Sequence, residues 1–311
     1  MEKKDVRRED VIEALKEIAF GRVNRGVELT YLSEPTAQLI RKMDLSAVAE
    51  FKRNGNGTVE VKFVDRVKAL SALYDMLGGG DADEAAEITA LCGGLCVNIG
   101  TLNSRTVAAM LAAGKQANAC GRPAVLDPVG AGASKLRTQT AARLLEEVRF
   151  TVVRGNASEI KTLAAGTGAA RGVDASQADA VTAETLADTV ALARDFAGQT
   201  GAVVVITGAT DIVTDGRSVC CVRNGHPMMG RVTGTGCQLS ALVAAFVAAN
   251  PGCAFEAASA AVCAMGLCGE IAHARLAPGD GNMRYRDNII DAVFNLTAEA
   301  LERGGNYEIR A

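Results

Sequence analysis

Val232-Thr233-Gly234-Thr235-Gly236-Cys237 runs into the apolar stretch Leu239-Ser240-Ala241-Leu242-Val243-Ala244-Ala245-Phe246. Small residues let a backbone come close to a ligand. A helix start then offers free N–H groups and a partial positive charge, a setting suited to a phosphoryl group in transfer. The thiol of Cys237 falls where the first turn begins, and the apolar run anchors the loop in a core. Alone, such a run is more often a plain turn before a helix.

Working outward, strands and helices alternate from Asp81 onward. The sequence predicts strands at Leu95–Ile99, Pro123–Leu126, Phe150–Val153 and Ala202–Ile206, each a short apolar run. Between them it predicts helices at Ser104–Cys120, with Ser104 as N-cap, at Lys135–Glu147, Ser158–Ala165 and Thr182–Phe196. Asp211–Thr214 and Ser218–Val222 read as a hairpin around Asp215-Gly216. Three helices are expected near 236–249, 254–276 and 287–302. The pattern implies an α/β fold, a mostly parallel sheet covered by helices on both faces. Ligands in such folds sit beyond the C-terminal strand ends, which is where Asn98, Asp127, Arg154 to Glu159 and Thr207 fall.

Residues 1–77 follow a different grammar, with 14 Lys and Arg against 13 Asp and Glu. Val11–Phe20 has helical periodicity. Asn54-Gly55-Asn56-Gly57 reads as a turn, Val59, Val61 and Phe63 alternate as a strand would, and Asp65–Leu77 is helical again. Gly78-Gly79-Gly80-Asp81 punctuates the chain. The domains expected are therefore a small α+β N-terminal region, 1–80, and an α/β domain, 81–311.

Bulk properties narrow the classes. The chain has 311 residues, 49% of them hydrophobic, so a large core is possible. A formal charge of −3 argues against a general nucleic-acid or acidic-membrane binder. The charged start Met1-Glu2-Lys3-Lys4-Asp5 carries no leader pattern. Ala257–Ala272 is interrupted by Gly266, Gly269 and Glu270, so it reads as a buried helix. Nine irregularly spaced cysteines and two histidines fit a reduced cytoplasm better than a disulfide framework or a zinc site. His226 reads as structural.

Four motifs occur in order: Val97-Asn98-Ile99-Gly100-Thr101-Leu102, Leu126-Asp127-Pro128-Val129-Gly130-Ala131-Gly132-Ala133, Arg154-Gly155-Asn156-Ala157-Ser158-Glu159-Ile160, and Thr233 to Cys237. Together with Asn224-Gly225-His226-Pro227-Met228 they resemble the hydroxyethylthiazole kinases, ribokinase-like enzymes of thiamine salvage, from about Asp83 to Ala300. The resemblance implies transfer of the ATP γ-phosphoryl to the primary alcohol of hydroxyethylthiazole with magnesium. It implies Cys237 as the catalytic residue, Arg154 and Thr207 on ATP, Gly234 on substrate, Thr235 and Gly236 as an anion hole, and Asp127 and Glu159 toward the metal. It also implies a homotrimer with the substrate between subunits.

From the residues alone, Asp127 is equally a turn residue before proline, Glu159 a solvated helix residue, and Arg154 a strand-end cation. Residues 1–80 show no counterpart of the family's first strands or of their substrate-contacting Met. Residues 6–77 weakly resemble part of phage terminase small subunits, without a DNA-binding helix-turn-helix. The readings left open are an incomplete or fused kinase that binds nucleotide without turnover, a phage-type interaction module carrying a kinase fold, and a repair enzyme for hydrated nicotinamide nucleotides. Cys237, standing where an Asp is usual in the wider superfamily, speaks against the last.

Overall fold

Buried strands present apolar side chains on both faces, and the central strands after Asp81 do so. The computed structural model describes residues 8–20, 24–31, 36–45, 48–54, 59–65, 68–69, 81–166 and 185–310. The chain divides into two units, Met1–Gly80 and Asp81–Ala311.

The first unit holds α1 (Arg8–Phe20), α2 (Asn24–Tyr31), α3 (Ala37–Ile40) and an antiparallel pair, β1 (Val48–Arg53) and β2 (Val59–Phe63). Along β2, half-buried Val59, Val61 and Phe63 alternate with exposed Glu60 and Lys62. Most of the turn read at 54–57, nearly all of the helix read at 65–77 and the glycine run at 78–80 lie outside the described residues.

The second unit runs α4 (Asp81–Leu91), β3 (Leu95–Asn98), α5 (Ser104–Ala119), β4 (Ala124–Asp127), α6 (Lys135–Glu147), β5 (Val152–Asn156), α7 (Ala157–Gly166) and α8 (Leu186–Thr200). It continues with β6 (Val203–Thr207), β7 (Asp211–Thr214), β8 (Val219–Val222), α9 (Thr235–Ala249), α10 (Ala254–Ala274), α11 (Asn282–Phe294), α12 (Ala298–Gly304) and β9 (Tyr307–Arg310). The sheet is seven-stranded in chain order, parallel from β3 to β6 and antiparallel from β6 to β9.

Right-handed crossovers between strands added in one direction all fall on one side. Accordingly Leu111, Leu144, Ile160 and Phe196 from α5 to α8 pack with Val97, Leu126, Val153, Val204 and Ile206. The intervening strand residues Val125, Val152, Val203, Val205 and Val213 pack with Val243, Val262, Tyr285 and Ile289 from α9 to α11. The period of two along each strand thus builds two cores. Among the described residues α10 alone is long and apolar enough to cross a membrane, but 67% of its apolar window is buried in this fold.

Three expectations change. Asn103, not Ser104, caps α5: its side chain accepts from Thr106 N–H at 2.9 Å, and Thr106 Oγ1 accepts from Asn103 N–H at 2.9 Å. Ser104 already belongs to the helix. The helix expected at 287–302 is split into α11 and α12, because Thr297 Oγ1 accepts Ala300 N–H and starts a new helix. The strand expected at Phe150–Val153 runs to Asn156, so Arg154 and Gly155 lie within the sheet. The start expected at Thr182 lies outside the described residues.

Candidate active site

The strand register gathers the motif residues on one face. Asn98 pairs with Asp127, Arg154 with Val205, and Asn156 with Thr207. Asp127 is two residues from Val125, Arg154 two from Val152, and Thr207 two from Val205. All three therefore share the face that packs on α9.

The first turn of α9 closes over that face. Gly234 is its N-cap, at φ 97°, a conformation that a Cβ disfavours. No side chain caps this end, so the N–H groups of Thr235, Gly236 and Cys237 are available to an anion. Gly236 makes the approach possible: a Cβ there would lie 2.7 Å from Arg154 Nη1 and 2.8 Å from Nη2. The guanidinium is thus held against the backbone at the helix start.

Arg154 is buried, and its Nη2 donates to Thr207 Oγ1 at 2.9 Å. Its Nη1 lies 3.5 Å from Asp127 Oδ1, an ion pair without a hydrogen bond. Nε has no hydrogen-bond partner, nor has Asp127 Oδ1. Most of the five donors of this cation remain for other oxygens.

Asp127 is fully buried, and its Oδ2 accepts from Ser240 Oγ at 2.9 Å and Asn98 Nδ2 at 2.7 Å. Asn98 Nδ2 also donates to Cys237 Sγ at 3.1 Å, and Asn98 Oδ1 accepts Gly100 N–H at 2.9 Å. Cys237 itself is exposed. Nearby, burial pushes the Cys96 thiol up to about 11, aided by the charge of Asp127, so Cys96 stays protonated at neutral pH.

A cavity of about 510 Å³ opens on the other side of the α9 start. Arg154, Thr207, Thr235 and Gly236 line it, with the loop from Asn224 to Gly230 and α10 behind. Cys237 and Asp127 are not among its lining residues. The expected residues therefore form two adjoining groups, joined by Arg154 and the first turn of α9. His226 stacks on His273 with ring centroids 3.5 Å apart, and its Nδ1 accepts Met228 N–H at 3.2 Å, which supports a structural part for it.

Glu159 meets different partners from Asp127. Its Oε2 accepts Asn156 N–H at 2.9 Å while Asn156 Oδ1 accepts Glu159 N–H at 2.8 Å, a reciprocal cap on α7. Its Oε1 accepts Gly130 N–H at 2.8 Å, which ties the turn after β4 to the end of β5. Among the described residues no three His, Cys, Asp or Glu converge on a common point.

Sequence reasoning passed over two contributors. Arg137 donates to the carbonyls of Val129 and Gly100, both at 2.9 Å, and so fastens two of the motif loops together. Asp211 lines the cavity, and burial pushes its carboxyl up to about 7, against the opposing pull of Gly208 N–H and the Arg154 charge. The adjacency of a β-hairpin to a phosphate-type loop was the only available signal for Asp211.

Comparison with known proteins identifies the family. The sequence profile described as the Hydroxyethylthiazole kinase family matches residues 67–299, reaching back beyond Asp83. A hydroxyethylthiazole kinase of Clostridium acetobutylicum is 54% identical over 228 residues, 73% of this chain and 84% of that one. One from Methanocella arvoryzae is 44% identical over 228 residues, 73% and 81% of the two chains. The structure of a hydroxyethylthiazole kinase protein from Pyrococcus horikoshii OT3 superposes with a TM-score of 0.65 at 28% identity, covering 79% of this chain and 91% of that one. The terminase resemblance of residues 6–77 gains no support from these comparisons. With its sheet, its motif order and its relatives all in agreement, the chain belongs to the hydroxyethylthiazole kinase family.

Proposed function

We propose that the chain transfers the γ-phosphoryl group of ATP to the primary hydroxyl of hydroxyethylthiazole. The observation that carries this reading is the buried Arg154 guanidinium, laid against Gly236 at an uncapped helix start with most of its donors unspent. Phosphoryl transfer asks a protein for positioning and charge stabilisation more than for covalent work. The cavity beside Thr207 takes the nucleotide, and Arg154 meets its phosphate oxygens. The N–H groups of Thr235, Gly236 and Cys237 receive the charge that grows on the transferred group. Gly234, preceding them, leaves room for the substrate. The substrate hydroxyl oxygen bonds to phosphorus, the bond to the ADP oxygen breaks, and the hydroxyl proton passes to Cys237 Sγ, which takes it as the thiolate that a helix start favours.

Magnesium, which commonly accompanies phosphate groups, keeps most of its waters and uses one or two carboxylates. The residues fit such an ion. Asp127 Oδ1 has no hydrogen-bond donor, and each Glu159 oxygen accepts one backbone N–H and keeps a further lone pair. Asp127 and Glu159 would hold it, directly or through water, and it would neutralise phosphate charge. The family resemblance further supports a homotrimeric, cytoplasmic enzyme, which light scattering on the purified chain checks for assembly.

The test is ADP production by the full chain with ATP, magnesium and hydroxyethylthiazole. Cys237→Ala is expected to lower kcat by about 10² or more, the usual scale for a lost proton acceptor. Unchanged kcat in that variant removes Cys237 from the reaction. A folded wild-type chain that releases no ADP with this alcohol overturns the substrate.

A further inference from the structure

We infer that Asn98 is a positioning residue for Cys237, coupling its sulfur to the buried carboxylate of Asp127. The inference rests on the proposed role of Cys237, but its geometry stands apart from it. Asn98 ends β3, and its register partner across the parallel ladder is Asp127 at the end of β4. Its side-chain amide is fully committed. Oδ1 accepts Gly100 N–H at 2.9 Å, which fixes which end of the amide faces the site. The other end donates to Asp127 Oδ2 at 2.7 Å and to Cys237 Sγ at 3.1 Å. An amide nitrogen has two N–H donors, and both are used.

Two consequences follow from that commitment. The sulfur is an acceptor in this arrangement, so its lone pair is aimed at Asn98 and its position above the strand ends is set. An N–H donor interacts more strongly with an anionic sulfur than with a neutral thiol. The carboxylate in turn is anchored twice, by Asn98 at 2.7 Å and by Ser240 at 2.9 Å. Asn98 thereby bridges the carboxylate and the sulfur, and presents the thiol at an exposed edge while Asp127 stays covered. It acts through Cys237.

The discriminating substitutions are Asn98→Ala and Asn98→Asp in the full chain. Asn98→Asp keeps an oxygen for Gly100 N–H and loses both donors. It also sets a second carboxylate against Asp127, which slows alkylation by charge alone, so the uncharged Asn98→Ala decides between positioning and that charge effect. The probe is iodoacetamide, with alkylation followed at Cys237 by peptide mass spectrometry and with exposed Cys253 as an internal reference. We expect Cys237 alkylation near neutral pH to slow at least about three-fold in both variants, relative to Cys253, as loss of a donor to anionic sulfur requires. We also expect kcat to fall about ten-fold with KM for ATP within about two-fold, since Arg154 and Thr207 are untouched. Wild-type alkylation at Cys237 in Asn98→Ala overturns the inference. So does faster Cys237 alkylation in either variant, the result if the region merely loosens or unfolds. The alkylation arm reads the same whether or not hydroxyethylthiazole is the substrate, so failure of that substrate is told apart from failure of this inference.

Discussion

At the scale of single residues, the charge carried by Asp211 is open to a direct check. Its carboxyl is pushed from 3.8 up to about 7, mainly by burial. A raised value in the fold means that the folded chain holds the proton more tightly than the unfolded chain. The stability this supplies is fully present below 3.8 and is lost as pH rises through about 7. Asp211→Asn keeps an oxygen for Gly208 N–H and removes the titration. Its Tm is expected to exceed that of the wild type by about 3 °C at pH 8, with the gap narrowing toward pH 5, read by calorimetry across that range. An equal gap at both ends rejects the titration as its cause. Residue-level chemistry was only partly legible beforehand. Asp127, Arg154 and Cys237 stood out by motif, but the bond from Asn98 to Cys237 joins positions 139 residues apart, and one sequence holds no sign of which amide meets which thiol.

Among the elements, α10 carries the consequence of its small residues. A Cβ on Gly266 would come 2.5 Å from Asn224 O and 2.7 Å from its carbonyl carbon, both backbone atoms. A Cβ on Gly269 would run into the Met229 thioether. The segment from Asn224 to Met229 lies in this groove and lines the cavity beside Thr207. Backbone held by other bonds gives way poorly: Asn224 Oδ1 accepts Asn306 N–H at 2.6 Å, and its Nδ2 donates to Gly304 O at 2.9 Å. Gly266→Ala is therefore expected to cost about 1–3 kcal/mol and to raise KM for ATP. Gly269→Ala costs less, because a methionine side chain rotates aside. Thermal melts and ATP titration of the two variants check the order; equal losses count against the backbone argument. The same scale shows what patterning can and cannot reveal. The buried strands were readable as apolar runs. The strand β9 was not, since Tyr307-Glu308-Ile309-Arg310 is short and exposed throughout and is defined mainly by its pairing with β8. The break between α11 and α12 was missed because Thr297 was not weighed as a cap.

For the molecule as a whole, the order of strands matters more than their number. Fold class was legible because alternating strands and helices allow few arrangements. Which helices share a face follows only once strand order is known. Here the strands add in chain order, so the helices that cover one face are finished by Thr200, whereas the other face waits for α9, α10 and α11. Synthesis on the ribosome runs at about 5–20 residues per second, and early segments begin to fold before later ones exist. A nascent chain that has just extruded β8 therefore carries a half-clothed sheet, with Val125, Val152, Val203 and Val205 bare on one side. A chain released after Val222 is expected to pellet on centrifugation while the full-length product stays in the supernatant; soluble, monodisperse truncated chain would reject this. The interval between those two points of translation, a matter of seconds, is when this polypeptide most needs a chaperone to shield it.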